Sequence, residues 1–384
     1  MSLALYTLGA RLRAAHTGTP TPAAAYSPAI PPLSAIAVTV DTDGDHTYLT
    51  ATDGERTLSG TDRHGLDVLA QLGATMTDPR RTLIVGTGQD MRVLTALART
   101  YPNTDASPVI GWWDERIDFP GTDAVHVVTE NAARRWVLGV HPDLDNDPAT
   151  WARWLGVHST GAAMLYDLAR LTTTGPLLPG LLHASVLDTA SWDRYGARLK
   201  AGRRWWAKDT RTDAALGLIS RSHSAEWYDS LRLDDPRVAV AASHDGTIVP
   251  GVIVGCDPFR VTVAADRPLS RLRVDAKVTA WHGEPINAGG ADCLTGVVDE
   301  ATIDTASRLT IALTGVPVKA RKALSIGDRI TLRPSRVDPN MQTTARRLAS
   351  SGYRRGTNWI AGRGTPISRR GDVPLDVIVA AADD

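Results

Sequence analysis

Cysteine and phenylalanine occur only twice each in the 384 residues. Two distant cysteines, Cys256 and Cys293, cannot build a disulfide framework or a four-cysteine zinc site. No apolar run reaches the length needed to span a bilayer as a helix. None of the ten histidines stands at a zinc-binding spacing, so no zinc is expected. Charge of one sign is not in excess either, since 42 basic residues balance 42 acidic ones. Arg11 and Arg13 follow the short apolar N-terminal stretch, the reverse of a secretory signal. These absences lead us to expect a cytoplasmic protein with no membrane partner. With 43% hydrophobic and 22% charged residues the chain is globular, and its length suits two or three domains.

What is present divides the chain into five stretches. Residues 1–33 hold a short helix over 3–15, with Leu3, Leu5, Leu8 and Leu12 as its apolar positions, and then a proline-rich segment over 17–32 that reads as an extended linker. Residues 34–175 read as an α/β domain. Strands over 34–42, 46–51 and 55–60 are separated by turns at Asp43-Gly44-Asp45 and Asp53-Gly54. A helix over 64–75, a strand over 81–86, a helix over 89–100, strands over 108–112 and 124–128, and helices near 148–156 and 160–171 follow. Residues 176–235 read as a helical basic connector. Residues 236–335 carry seven short strand candidates, starting with 237–242, which suggests a small barrel. Residues 336–384 form a basic extension. The fold class expected is therefore α+β or α/β.

Zero net charge conceals a separation. Between Val316 and Asp372 stand 13 basic residues against three acidic ones, a net of +10. Arg346, Arg347, Arg354, Arg355, Arg363, Arg369 and Arg370 lie there with Tyr353 and Trp359 among them. A second run, residues 191–211, holds Arg194, Arg198, Arg203 and Arg204 around Trp205 and Trp206. Guanidinium groups suit phosphates and aromatic rings offer faces for bases, so both segments are candidate nucleic-acid contacts. The plainer alternatives are a solvated basic tail, and tryptophans that belong to the core with arginines merely around them.

Asp41 and Asp43 are two apart at the end of the first strand, so they project from one face and suit a divalent metal. The meander, helix, strand, helix order with this pair resembles the ribonuclease-H-like superfamily, in particular proofreading-type 3′–5′ exonucleases, over residues 34–171. That resemblance implies a ribonuclease-H-like mixed sheet and two further carboxylates, matched by Asp90 after Gly86-Thr87-Gly88 and by Asp167 in a late helix. A nuclease of this kind would use magnesium or manganese; otherwise no cofactor is expected. The family has Asp-x-Glu where this chain has Asp41-Thr42-Asp43, and the positions of its water-orienting His or Tyr hold Ala162 and Ala163. The expectation is therefore a non-catalytic protein that binds DNA or RNA. A metal-dependent nuclease and a structural subunit that assembles with other proteins are the alternatives. Asp143-Leu144-Asp145-Asn146-Asp147 looks like a calcium loop, but Pro148 makes a helix start with Asp147 as its cap the better reading. The segment from His244 to Gly255 is similar to the second-domain barrels of translational GTPases, which implies a barrel only.

Overall fold

The computed structural model describes residues 2–32 and 34–338. Helix α1 (Leu3–Thr17) starts on the Ser2 side chain and ends at Gly18, whose φ of 67° suits glycine. Its packing reverses the expectation. Ala10 and Ala14 face inward, whereas Leu5, Leu8 and Leu12 are exposed. The helix backbone lies so close to Gly139 that a Cβ there would fall 2.2 Å from the Ala15 nitrogen. Only small residues permit that approach.

The proline-rich segment is not a linker. Strand β1 (Thr21–Pro22) pairs with a two-residue strand at Trp136–Val137, and residues 27–30 are buried. Proline brings no N–H donor, so such a chain is buried with few groups to satisfy. Those that remain are met: the Ser27 N–H donates to the Pro176 carbonyl at 2.8 Å, and the Tyr228 hydroxyl donates to the Pro28 carbonyl at 2.7 Å.

A meander follows, of β2 (Ile36–Asp43), β3 (His46–Thr52) and β4 (Thr57–Thr61). Then come α2 (Arg63–Gln71), β5 (Leu83–Val85), α3 (Gly88–Thr100), α4 (Ser107–Arg116), β6 (Val125–Val127), α5 (Val128–Arg135) and β7 (Trp136–Val137). The five-stranded sheet runs β4-β3-β2-β5-β6. The meander pairs are antiparallel, while β2, β5 and β6 are parallel. Residues 108–112, expected as a strand, lie in α4. This helix is buried almost all round, including Val109, Ile110, Trp112 and Trp113, so it reads as a continuous apolar run. Alternation along β2 divides the sheet into two faces. Ile36 and Val38 join the core with α2, α3 and α4; Ala35 and Ala37 join the core with α5, α6 (Pro148–Leu155) and α7 (Gly161–Thr172).

Helices α8 (His183–Lys200), α9 (Arg211–Arg232) and α10 (Pro236–Ala242) follow. The alternating residues 237–242, expected as a strand, form α10. Asp235 caps this helix by accepting from the Arg237 and Val238 N–H groups, with Pro236 in the first turn. The all-β region holds β8 (Val249–Cys256), β9 (Val261–Ala265), β10 (Lys277–His282), β11 (Asp292–Ile303), β12 (Leu309–Thr314), the one-turn helix α11 (Val318–Lys322) and β13 (Arg329–Pro334). Its six strands close as an antiparallel barrel in the order β10-β11-β12-β9-β8-β13. Alternate residues fill the interior, among them Ile253, Val263, Val278, Ile311 and Leu332. The described residues through Ala207, with Ser224–Asp338, make one compact unit that includes both sheet and barrel; Lys208–His223 belong to a second. The overall class is thus mixed α+β with a closed barrel. Among the described residues no helix is long and apolar enough to cross a membrane.

A buried ion pair ties the connection between α9 and α10 to the barrel. Arg333, 1% exposed, donates from Nη1 to Asp234 Oδ1 at 2.7 Å and from Nε to Thr279 Oγ1 at 3.0 Å. Arg336 adds two bonds of 3.0 Å to the same carboxylate. Asp234→Ala would strand the Arg333 charge, and a loss of about 3–5 kcal/mol is expected in urea unfolding. His126 supplies a pH dependence. It is fully buried on β6, its ring hydrogen-bonded to the Thr172 hydroxyl at 3.1 Å, and burial lowers its pKa from 6.5 to about 3, with Arg134 adding to the shift. The folded ring stays neutral while the unfolded chain takes up the proton, so stability falls as pH drops from 6.5 towards 3. His126→Asn should flatten the measured dependence of unfolding free energy on pH in that window.

Candidate functional site

The carboxylates of the α/β domain divide into separate places. Asp41 and Asp43 continue the face of β2 that carries Ala37, and both are exposed at its C-terminal end. Asp90 sits in the first turn of α3, where it closes a capping box: its Oδ2 accepts the Thr87 N–H at 2.8 Å, and the Thr87 hydroxyl accepts the Asp90 N–H at 3.3 Å. Burial raises the Asp90 pKa, and the nearby Asp41 charge adds to that rise. So the structure brings Asp41 and Asp90 within electrostatic reach of each other.

Asp167 does not join them. Helix α7 faces the sheet through Ala162, Leu165, Ala169 and Thr172. Asp167 is two residues from both Leu165 and Ala169, about 200° around the helix, and so turns away. It accepts a hydrogen bond from the Ser159 hydroxyl at 2.7 Å and lines a cavity of about 400 Å³ with His158 and Arg170. Among the described residues no three His, Cys, Asp or Glu side chains are grouped to hold a metal ion. The convergence of Asp41, Asp43, Asp90 and Asp167 expected from the resemblance is not formed. Asp147 fulfils its expectation as a helix cap, accepting the Ala149 and Thr150 N–H groups at 3.1 and 3.0 Å.

The basic and aromatic run is sorted by the fold into support and surface. Trp192 packs edge-on against Trp112, with ring centroids 4.9 Å apart. Tyr195 is buried and its hydroxyl donates to the Pro108 carbonyl at 2.7 Å. Arg198 is occupied by Glu115, at 2.9 and 3.1 Å, and lies over the Tyr195 ring. Arg194 is exposed on α8. Trp205 donates from its indole nitrogen to the Pro102 carbonyl at 2.9 Å and leans on Gly111, where a Cβ would come within 2.5 Å of its ring. Trp206 differs from these. It is 38% exposed, packs edge-on to Trp205 at 5.8 Å, and carries the Arg204 guanidinium 5.7 Å above its ring.

Arg203, Arg204, Trp205 and Trp206 line a cavity of about 620 Å³ with Met76, Thr77, Asn103, Asp105 and Leu199. Met76, Asn103 and Asp105 were not singled out in the sequence. They come from the loops after α2 and α3, and nothing local marks them. The barrel end is less basic than its composition suggests. Arg333 and Arg336 are taken by Asp234, and Arg329 bridges Asp266 and Glu284. Arg346, Arg347, Tyr353, Arg354, Arg355, Trp359, Arg363, Arg369 and Arg370 lie outside the described residues.

No protein-family model, curated protein or solved structure matches this chain. The function must be argued from the geometry.

The two adjacent tryptophans should separate in stability measurements. Trp205→Ala removes a ring from the α4 core and should cost roughly 2–4 kcal/mol in chemical unfolding. Trp206→Ala should cost less than about 1 kcal/mol.

Proposed function

We propose that this protein binds single-stranded nucleic acid, DNA or RNA, without cleaving it, and that the Arg203–Trp206 cleft is the binding site. The observation that carries this reading is the pairing of an exposed indole with adjacent guanidinium groups on the wall of a cleft large enough for a nucleotide. A base stacks on Trp206, and Arg203 and Arg204 meet the phosphates on either side. Trp205 holds the pair in place by its bond to Pro102 and does not itself stack on a base. Asn103 and Asp105 supply polar groups at the mouth of the cleft.

Two observations favour the non-catalytic form of this reading. The Asp90 carboxylate is engaged in capping α3, and Asp167 faces away from the sheet. The meander with its two parallel strands supports the ribonuclease-H-like resemblance, and the electrostatic reach between Asp41 and Asp90 favours the nuclease alternative. Incubating labelled strands with magnesium or manganese tests that alternative. Metal-dependent cleavage abolished in Asp41→Asn would establish it and overturn the non-catalytic reading.

Binding of labelled single strands, followed as a function of salt, tests the cleft. Trp206→Ala should weaken affinity by about 1–3 kcal/mol. The double variant Arg203→Ala, Arg204→Ala should make the slope of log affinity against log salt shallower by about 1.4, or about 0.7 for each phosphate that is no longer neutralised. Unchanged affinity in both variants would place the binding elsewhere.

A further inference from the structure

One end of the barrel carries large apolar side chains in water. Phe259 is 84% exposed, Ile326 70%, Val318 56% and Val254 49%. Val254 lies in β8, and the other three come from connections held side by side along that strand. Phe259 is in the β8–β9 turn, which closes with the Asp257 N–H donating to the Arg260 carbonyl at 2.8 Å. The turn holding Ile326 is bonded to β8, since the Gly327 N–H donates to the Ile253 carbonyl at 2.8 Å and the Ile253 N–H to the Asp328 carbonyl at 2.9 Å. Helix α11, with Val318, lies beside Cys256, whose thiol reaches the Arg321 carbonyl at 3.7 Å.

The same helix carries Lys319, Arg321 and Lys322 in one turn. Among the described residues no acidic side chain pairs with them. Of the acids nearby, Asp328 accepts the Ser325 N–H at 2.7 Å, Asp299 and Glu300 share Arg260, and Asp257 is exposed in the turn that holds Phe259. Apolar tips and cations therefore share one surface.

The shape and the residue types choose among occupants. Three of the four apolar side chains are aliphatic and offer no face for a base, unlike Trp206. The two most exposed, Phe259 and Ile326, stand out from turns, which suits neither a docked helix nor an added strand. Protruding apolar groups beside a cationic helical turn fit a bilayer surface, where the tips enter the boundary between headgroups and acyl chains and the cations meet lipid phosphates. We propose that this end of the barrel docks on an anionic lipid surface, with Phe259 and Ile326 inserted and Lys319, Arg321 and Lys322 on the headgroups. The expectation of no membrane partner rested on the lack of a spanning segment, which bears on crossing a bilayer and not on lying against one. The inference is independent of the nucleic-acid cleft.

Cosedimentation of the full chain with phosphatidylcholine vesicles, with and without phosphatidylglycerol, tests it. Binding is expected only with phosphatidylglycerol. Each of Lys319→Ala and Lys322→Ala should weaken it about fivefold, and the double variant Phe259→Ser, Ile326→Ser should abolish it. All four positions are exposed, and unchanged oligonucleotide binding by the double variant would show that it is folded and that the cleft is separate. Absence of binding to anionic vesicles, or binding that the double variant retains, would overturn the proposal. So would loss of oligonucleotide binding in place of vesicle binding, which would assign this end to nucleic acid instead.

Discussion

Asp234 and Asp235 are adjacent, buried, and turned to different parts of the molecule. Asp234 receives Arg333 and Arg336 and so fixes the barrel to the connection between α9 and α10. Asp235 caps α10 with one oxygen, while the other accepts the Ala25 and Tyr26 N–H groups at 2.7 Å each. The N-terminal segment held in this way runs back to pair β1 with β7 beside the mixed sheet. Two carboxylates thus set the positions of barrel, helix and N-terminal arm together. Such buried charges add little net stability over apolar substitutes, but losing one partner is costly. Their effect is to permit a single arrangement of parts that would otherwise be joined by loops.

A comparable network holds α8 against the sheet domain. Asp188, fully buried, receives Arg116 Nε at 2.6 Å, the Thr122 hydroxyl at 2.7 Å and the Asp123 N–H at 2.8 Å, while Asp123 pairs with Arg80. That anchoring bears on function. Helix α8 leads directly into the Arg203–Trp206 cleft, so a fixed helix gives the cleft a fixed wall. Other tryptophans serve the core. Trp112, Trp113 and Trp151 are fully buried, and the N–H groups of Trp113 and Trp151 donate to the Arg81 and Asp145 carbonyls. With only two phenylalanines in the chain, tryptophan takes the place of the large core hydrophobe. An exposed Trp206 beside a half-buried Trp205 is therefore informative.

The parts of the fold that local chemistry governs were legible. The hairpin at Gly44-Asp45, the cap at Asp147, the helix after Gly86 and the last six barrel strands follow from turn residues, capping side chains and period-two alternation. Misreadings arose where burial removes the pattern. Helix α4 is apolar on nearly every side, and α10 is a short alternating run whose start depends on Asp235. The candidate site was legible as a composition, arginines among tryptophans, but not as a geometry. Its opposite wall comes from Met76, Asn103 and Asp105, about a hundred residues earlier.

The sequence by itself determined the periodicities, the turns and caps, and the inventory of charges, because these depend on neighbours a few residues apart. It did not determine where each charge is directed. Arg198, Arg329, Arg333 and Arg336 read the same as Arg204 in the chain, yet Glu115, Asp266 with Glu284, and Asp234 engage the first four, while Arg204 lies over the Trp206 ring. Nor did it determine that Asp167 turns from the sheet or that Leu5, Leu8 and Leu12 of α1 face water. Only the tertiary structure decided these, because a charge is neutralised, or a helix face buried, by whatever the fold brings within a few ångströms. One such pair, Asp234 and Arg333, is separated by 99 residues of chain.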